Sequence, residues 1–241
     1  MKPGILESTH MSELPRSFAL VPCAGVGARA GTGRPKQYAA LGSHSVVAHT
    51  LDALAQVAEL SAILVVLAPD DAEFELHAPR FTGPRAWVAR SGGATRAASV
   101  AAGLGVLRER GASDSDWVLV HDAARCLIRP AWVERLTQAC RADAVGGLLA
   151  LPLADTLKLA HDGRASATLP RADKWLAQTP QMFRLGLLQS ALFEAGDEVT
   201  DEASAIERMG LKPLLVAGEL ENIKLTWPAD FALAERLLET R

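Results

Sequence analysis

No apolar run in these 241 residues is long enough to cross a bilayer. The longest, around Ala62 to Ala68, falls far short of the roughly 20 residues that a helical span requires. Cysteine is scarce: Cys23, Cys126 and Cys140 show no paired zinc-type spacing, and an odd number argues against a disulfide framework. An excess of one charge is also missing. The formal net charge is −3, which argues against a nucleic-acid or anionic-membrane surface, so each basic residue is read singly as a candidate phosphate ligand. Residues 1–17, MKPGILESTHMSELPRS, lack the continuous apolar segment of a signal peptide. They are read as a disordered tail on a cytoplasmic protein. There is no Gly-Lys-Ser/Thr for a P-loop, and no convincing serine–histidine–aspartate relay or histidine cluster.

What is present is enough apolar sequence for one large core, with 49% hydrophobic and 22% charged residues. Short apolar runs alternate with longer periodic segments, the pattern of an α/β fold. Strands are expected at 18–22, 62–67, 85–89, 117–121, 146–152, 213–217 and 222–225. Helices are expected at 45–57, 95–108, 130–141, 184–194, 201–209 and 228–240, with Pro130 in the first turn of its helix. Between 155 and 171 the rhythm breaks into two short extended segments around His161-Asp162-Gly163-Arg164, read as a projecting β-hairpin. The organisation expected is a tail over 1–17 and one domain over 18–241, with a β-arm at about 153–172.

The most informative stretch follows the first strand, PCAGVGARAGTGRPK at 22–36. Glycines allow the backbone to approach a ligand and turn its amides toward an anion. Arg29, Arg34 and Lys36 add positive charge in the same loop, the combination a triphosphate needs. A dinucleotide fingerprint fits poorly. Gly25 and Gly27 match it, but the next glycine is Gly31, Pro35 interrupts any helix, and Asp70 comes only after Pro69.

The run PCAGVGAR…RPKQY resembles the signature of the 2-C-methyl-D-erythritol 4-phosphate cytidylyltransferases. The resemblance continues, in the family's order, through GGATRAASV at 92–100, VHDAAR at 120–125, DTLK at 155–158, TPQMF at 179–183, TDEASA at 200–205 and ENIKLT at 221–226. It implies a doubly wound, mostly parallel sheet with a β-arm that embraces a second subunit, hence a homodimer. It also implies transfer of CMP from CTP to a polyol phosphate, with magnesium. By motif position, Arg29 and Lys36 stabilise the transition state. Lys224 and Arg171 hold the attacking phosphate, with Arg171 and Thr156 reaching in from the partner's arm. Ala24, Gly25, Gly27, Gly92, Gly93, Ser99 and Ala123 fall to CTP, and Asp122, Arg125, Thr156 and Thr179 to the substrate side.

Read from the residues themselves, Asp122 follows an apolar strand at the end where α/β folds bind ligands. It suits magnesium or a ribose hydroxyl, against a helix cap or a salt bridge to Arg125. His121 reads as a hydrogen-bonded strand-end histidine, Arg96 as structural, and Thr200 or Asp201 as a helix cap. Cys23 lies in the loop, where thiol reagents could reach it. Asn222 and Lys224 alternate on an expected strand, which would carry Lys224 inward. Two departures from the family stand out: Ala94, where relatives often carry an acid, and Cys126, where they often carry proline. Two other readings remain at this point. One is a ribitol 5-phosphate cytidylyltransferase, and the other a dimeric protein that binds CTP without catalysis.

Overall fold

In the computed structural model, the residues described are 14–25, 35–196 and 199–240. The apolar runs become a seven-stranded sheet built from β1 (Ser17–Pro22), β4 (Leu60–Val66), β5 (Ala86–Ala89), β6 (Trp117–Val120), β7 (Gly146–Pro152), β10 (Trp175–Arg184) and β11 (Leu214–Ala217). Their order is β11-β7-β10-β6-β1-β4-β5, and only β10 runs antiparallel to its neighbours. Strands covered on both faces read as continuous apolar sequence, which is why these runs showed no alternation of polar residues.

Alternate side chains of each strand serve the two faces. Ala19 and Val21 of β1 pack with α1 (Val46–Ala55) and α4 (Pro130–Arg141), through Val47, Leu51, Trp132 and Leu136. Phe18 and Leu20 pack the other way, against Val100 and Leu104 of α3 (Arg96–Glu109), Leu188 of α5 (Leu185–Ala195) and Ile206 of α6 (Glu202–Arg208). The doubly wound α/β architecture is therefore as expected. A smaller cluster joins Leu41, Val46, Leu127 and Leu225 to Ala234 of α7 (Pro228–Glu239). The remaining elements are short: β2 (Ala40–Leu41) pairs with β3 (His44–Ser45), and α2 spans Phe74–His77.

The hairpin is β8 (Leu157–His161) with β9 (Arg164–Leu169), a separate two-stranded sheet whose β9 residues are all exposed. Asp162 and Gly163 both have positive φ, at 48° and 73°, as a two-residue hairpin turn requires. A lone two-stranded hairpin is marginal in water, so an exposed one is suited to packing against something else.

Two expectations are corrected, and one strand was not foreseen. The folded chain reaches back beyond residue 18: Ser17 opens β1 and is buried, and Arg16 forms a 2.7 Å ion pair with Asp116. No strand forms at 222–225, where the backbone donor of Leu225 goes to the carbonyl of Ala124, an isolated long-range bond rather than part of a ladder. The sequence reading also missed β10. Its middle is Gln178-Thr179-Pro180-Gln181, polar and interrupted by proline, and its register with β7 shifts at that point.

Candidate active site

Along the sheet the chain runs outward through β1, β4 and β5, then returns to place β6 on the other side of β1. The crevice between the carboxyl ends of β1 and β6 is the switch point where open α/β sheets bind ligands. A cavity of about 280 Å³ opens there, lined by Ala24, Gly25, Lys36, Gly93, Ala94, Ser99, Asp122, Ala123 and Lys224, among others. A second, of about 170 Å³, is lined by Arg125, Ala177, Thr179, Gln181 and Asp201. Arg96, Asp122 and Lys224 belong to both walls. A larger cavity of about 470 Å³, between Tyr38, Leu51, His77 and Phe81, contains none of the candidate residues. Its charges, Asp52 and Arg80, pair with each other, so it offers no excess positive charge to a phosphate.

Each wall is set by local chemistry. Gly92 sits where the ends of β1 and β4 meet: a Cβ there would lie 2.4 Å from Ala24 Cβ and 2.7 Å from the Leu67 carbonyl oxygen. Only glycine fits there, and its neighbour Gly93 lines the cavity. Thr95 caps α3 through its hydroxyl, which accepts from the Ala98 amide at 3.0 Å. Ser99 Oγ accepts from the Gly93 amide at 3.1 Å and donates to the Thr95 carbonyl at 3.0 Å, fixing the glycine segment over the cavity. Lys36 opens the 3₁₀ turn Lys36–Tyr38, and its Nζ donates to the Leu225 carbonyl at 2.9 Å.

The centre of the site is a line of alternating charges. Glu202, buried at the start of α6, accepts from Arg96 Nη1 at 2.6 Å and from Nη2 at 3.0 Å. Arg96 Nε donates to Asp122 Oδ1 at 2.8 Å, and Lys224 Nζ lies 2.7 Å from Asp122 Oδ2. Burial alone would raise the Asp122 pKa, but Arg96 and Lys224 outweigh it and hold the carboxyl well below its usual range. Arg96 borders both cavities and is a second cation on Asp122 beside Lys224, tied in turn to Glu202. This role lay beyond sequence reading, because its partner Glu202 is over a hundred residues away.

Around that line the polar groups lock the backbone. The Asp122 amide donates to Thr179 Oγ1 at 3.1 Å, and Thr179 meets His121 Nδ1 at 3.0 Å. His121 Nε2 meets the Arg125 carbonyl at 3.2 Å; since a carbonyl only accepts, Nε2 carries the hydrogen and Nδ1 accepts from Thr179. The Thr179 hydroxyl is thus bonded on both sides, to the Asp122 amide and to His121. Arg125 donates to the carbonyls of Asn222, at 2.6 Å, and Ala177, at 3.3 Å, while its buried Nε has no hydrogen-bond partner. Asp201, not Thr200, caps α6, and its second oxygen accepts from Gln181 at 2.8 Å.

His121 is fully buried, and burial pushes its pKa down to about 4. The unfolded chain takes up this proton near pH 6.5, whereas the native state resists it until about pH 4. Stability should therefore fall as pH drops through that window, by on the order of 3 kcal/mol once below it. Melting temperatures measured between pH 7 and pH 4 check this, with His121→Asn as control. An equally steep decline in the variant would assign the effect elsewhere.

Of the expected site residues, Lys36, Lys224, Asp122, Arg125, Thr179, Ala24, Gly25, Gly93, Ser99 and Ala123 come together at these two cavities. Lys224 is carried by a loop rather than a strand, and stays half-exposed. Thr156 and Arg171 do not join them: both are exposed on the arm, where Arg171 donates to the Ala154 carbonyl. Gly27, Arg29 and Arg34 lie outside the described residues. Cys23 is buried and its thiol pKa is pushed up by burial, which corrects the expectation that reagents reach it. For magnesium, the described residues include no cluster of three or more histidine, cysteine or carboxylate groups. Among the described residues, Asp122 alone offers a carboxylate to the cavities' shared wall, with both oxygens already bonded.

The family model for 2-C-methyl-D-erythritol 4-phosphate cytidylyltransferase, IspD, matches residues 17–240. The chain is 52% identical over 230 residues to the Paraburkholderia xenovorans protein named 2-C-methyl-D-erythritol 4-phosphate cytidylyltransferase, covering 92% of this chain and 96% of the relative. It is 59% identical over 227 residues to the bifunctional enzyme IspD/IspF of Albidiferax ferrireducens, covering 94% of this chain but 54% of that longer protein. A crystal structure described as 4-diphosphocytidyl-2C-methyl-D-erythritol synthase superposes with a TM-score of 0.83 at 41% identity, covering 94% of this chain and all of that one. A glycine turn beside Lys36, a charge line through Asp122, and likeness over nearly the whole length agree: the chain belongs to the 2-C-methyl-D-erythritol 4-phosphate cytidylyltransferase family.

Proposed function

We propose that this chain transfers CMP from CTP to the phosphate of 2-C-methyl-D-erythritol 4-phosphate in isoprenoid precursor synthesis, releasing pyrophosphate. The observation that carries the reading is the shared wall of Arg96, Asp122 and Lys224 between two cavities. One cavity, with its glycine turn and Lys36, suits a nucleotide; the other, with Arg125, suits a small phosphate ester.

A phosphate oxygen of the polyol phosphate attacks the α-phosphorus of CTP. A new P–O bond forms, the bond from the α-phosphorus to the bridging oxygen breaks, and pyrophosphate leaves with that electron pair. The nucleophile is already anionic at neutral pH, so no general base is needed. The barrier is charge repulsion and alignment, overcome by fixed cations. Lys36 faces the triphosphate side, and Lys224 can pass from Asp122 to the phosphates because Arg96 still balances Asp122. Arg125, whose buried Nε lies 4.0 Å from Asp122 Oδ2, adds positive charge to the wall that faces the polyol phosphate.

Magnesium fits this site as an ion carried by the nucleotide, since Mg²⁺ keeps waters and needs only one or two carboxylates beside phosphate oxygens. Asp122 would hold it, and the ion would supply further neutralisation of phosphate charge. The working unit is a cytoplasmic homodimer, with Arg171 and Thr156 acting on the partner's site. Support comes from their separation from both cavities and from the exposed Leu159, Leu169, Trp175 and Leu176 at the arm and its base. Mixing inactive Lys36→Ala and Arg171→Ala proteins should then restore about a quarter of wild-type activity, from the one intact site of each heterodimer. No restoration would remove Arg171 from the partner's site.

Pyrophosphate release from CTP and magnesium, measured with each polyol phosphate, tests the reaction. Release that depends on methylerythritol 4-phosphate and fails with ribitol 5-phosphate is expected. Release only with ribitol 5-phosphate would keep the chemistry and change the substrate. Binding of CTP without release under any condition would overturn catalysis.

A further inference from the structure

The turn after β1 presents a difficulty for an anionic ligand. Amides attract a polyphosphate but carbonyl oxygens repel it, and Cys23 and Gly25, each with a carbonyl to be held off that path, both line the nucleotide cavity. Both carbonyls are taken up by one side chain. Gln37 is buried at 6% exposure, and its Nε2 donates to Cys23 O at 3.1 Å and to Gly25 O at 3.0 Å. Both partners can only accept, so the amide must present its NH₂, whose two hydrogens satisfy the two bonds. Because the peptide unit is planar, fixing the Cys23 carbonyl also fixes the Ala24 amide on the opposite side.

Gln37 is itself held. Tyr38, the next residue, donates to Asp71 Oδ2 at 2.5 Å and stacks on His77 with centroids 4.9 Å apart. The preceding residue is Lys36, so a single 3₁₀ turn both presents the cation and restrains the loop. We propose that Gln37 is a positioning residue for the triphosphate: it draws two carbonyls back from the phosphate path and serves the phosphates rather than the base. The proposal rests on the CTP reading above.

The test measures Kd for CTP and for cytidine, with the KM of the polyol phosphate, in the wild type, Gln37→Met and Gln37→Glu. Melting temperatures establish that each variant is folded. In Gln37→Met, CTP binding should weaken by about tenfold, the scale of one or two lost hydrogen bonds. Gln37→Glu should weaken it more, because a carboxylate would face both carbonyls and add negative charge beside the phosphates. Cytidine binding and the polyol KM should stay within about twofold, as neither depends on the triphosphate path. Should Gln37→Met fail to fold, Gln37→Asn keeps the amide but reaches less far, and the same selective loss is expected from it. Equal losses for CTP and cytidine would reduce Gln37 to general packing, and unchanged CTP affinity would remove it from the site. A wild-type protein that does not bind CTP would sink the nucleotide reading and this proposal with it.

Discussion

Replacing Lys36 with alanine should lower turnover by on the order of 10²- to 10³-fold while leaving the fold intact, as removal of a fixed transition-state donor does elsewhere. The magnitude follows from what else is within the cavity. Arg96 and Lys224 are the other described cations in its wall, and both are already engaged with Asp122. Neither is placed to replace a charge presented from the 3₁₀ turn. The fold should survive because Lys36 is only partly buried and belongs to none of the apolar clusters. Lys36→Arg should recover part of the rate, since it restores charge but not the compact ammonium geometry. Steady-state pyrophosphate release, with circular dichroism on the same samples, measures both halves. A rate within a few-fold of wild type would remove Lys36 from the mechanism.

Arg96→Met should produce the largest loss of stability, about 3–5 kcal/mol, because it strands a buried carboxylate. Glu202 is only 1% exposed, and both of its oxygens face Arg96. In a domain of this length the loss corresponds to a fall in melting temperature of roughly 10 °C. The cause is the orphaned charge rather than the missing side chain, so Arg96→Met with Glu202→Met should recover most of the stability. It should not recover activity, since Asp122 would then retain Lys224 as its main counter-charge. Thermal melts and kinetics of the single and double variants decide this. A double variant no more stable than Arg96→Met would show that the Glu202 charge is not the source.

The parallel strands of the sheet, the helices on both faces and the location of the hairpin were legible in the sequence. Each follows from short-range patterns: an apolar run such as 62–67, a first-turn proline such as Pro130, or a turn such as Asp162-Gly163 with the required φ. Motif order likewise assigned Lys36, Asp122 and Lys224 to one reaction site. How these groups are held depends on contacts between distant parts of the chain. The strand β10 was illegible because its Gln178, Thr179 and Gln181 are satisfied by Asn222, His121 and Asp201, which lie far away in the chain. The same reason hid the pairing of Arg96 with Glu202, and that of Gln37 with the carbonyls of Cys23 and Gly25. Periodicity registers which face a residue turns to the core. It carries no record of which distant polar group will be waiting there, and in this protein those distant partners set the charge and the geometry of the site.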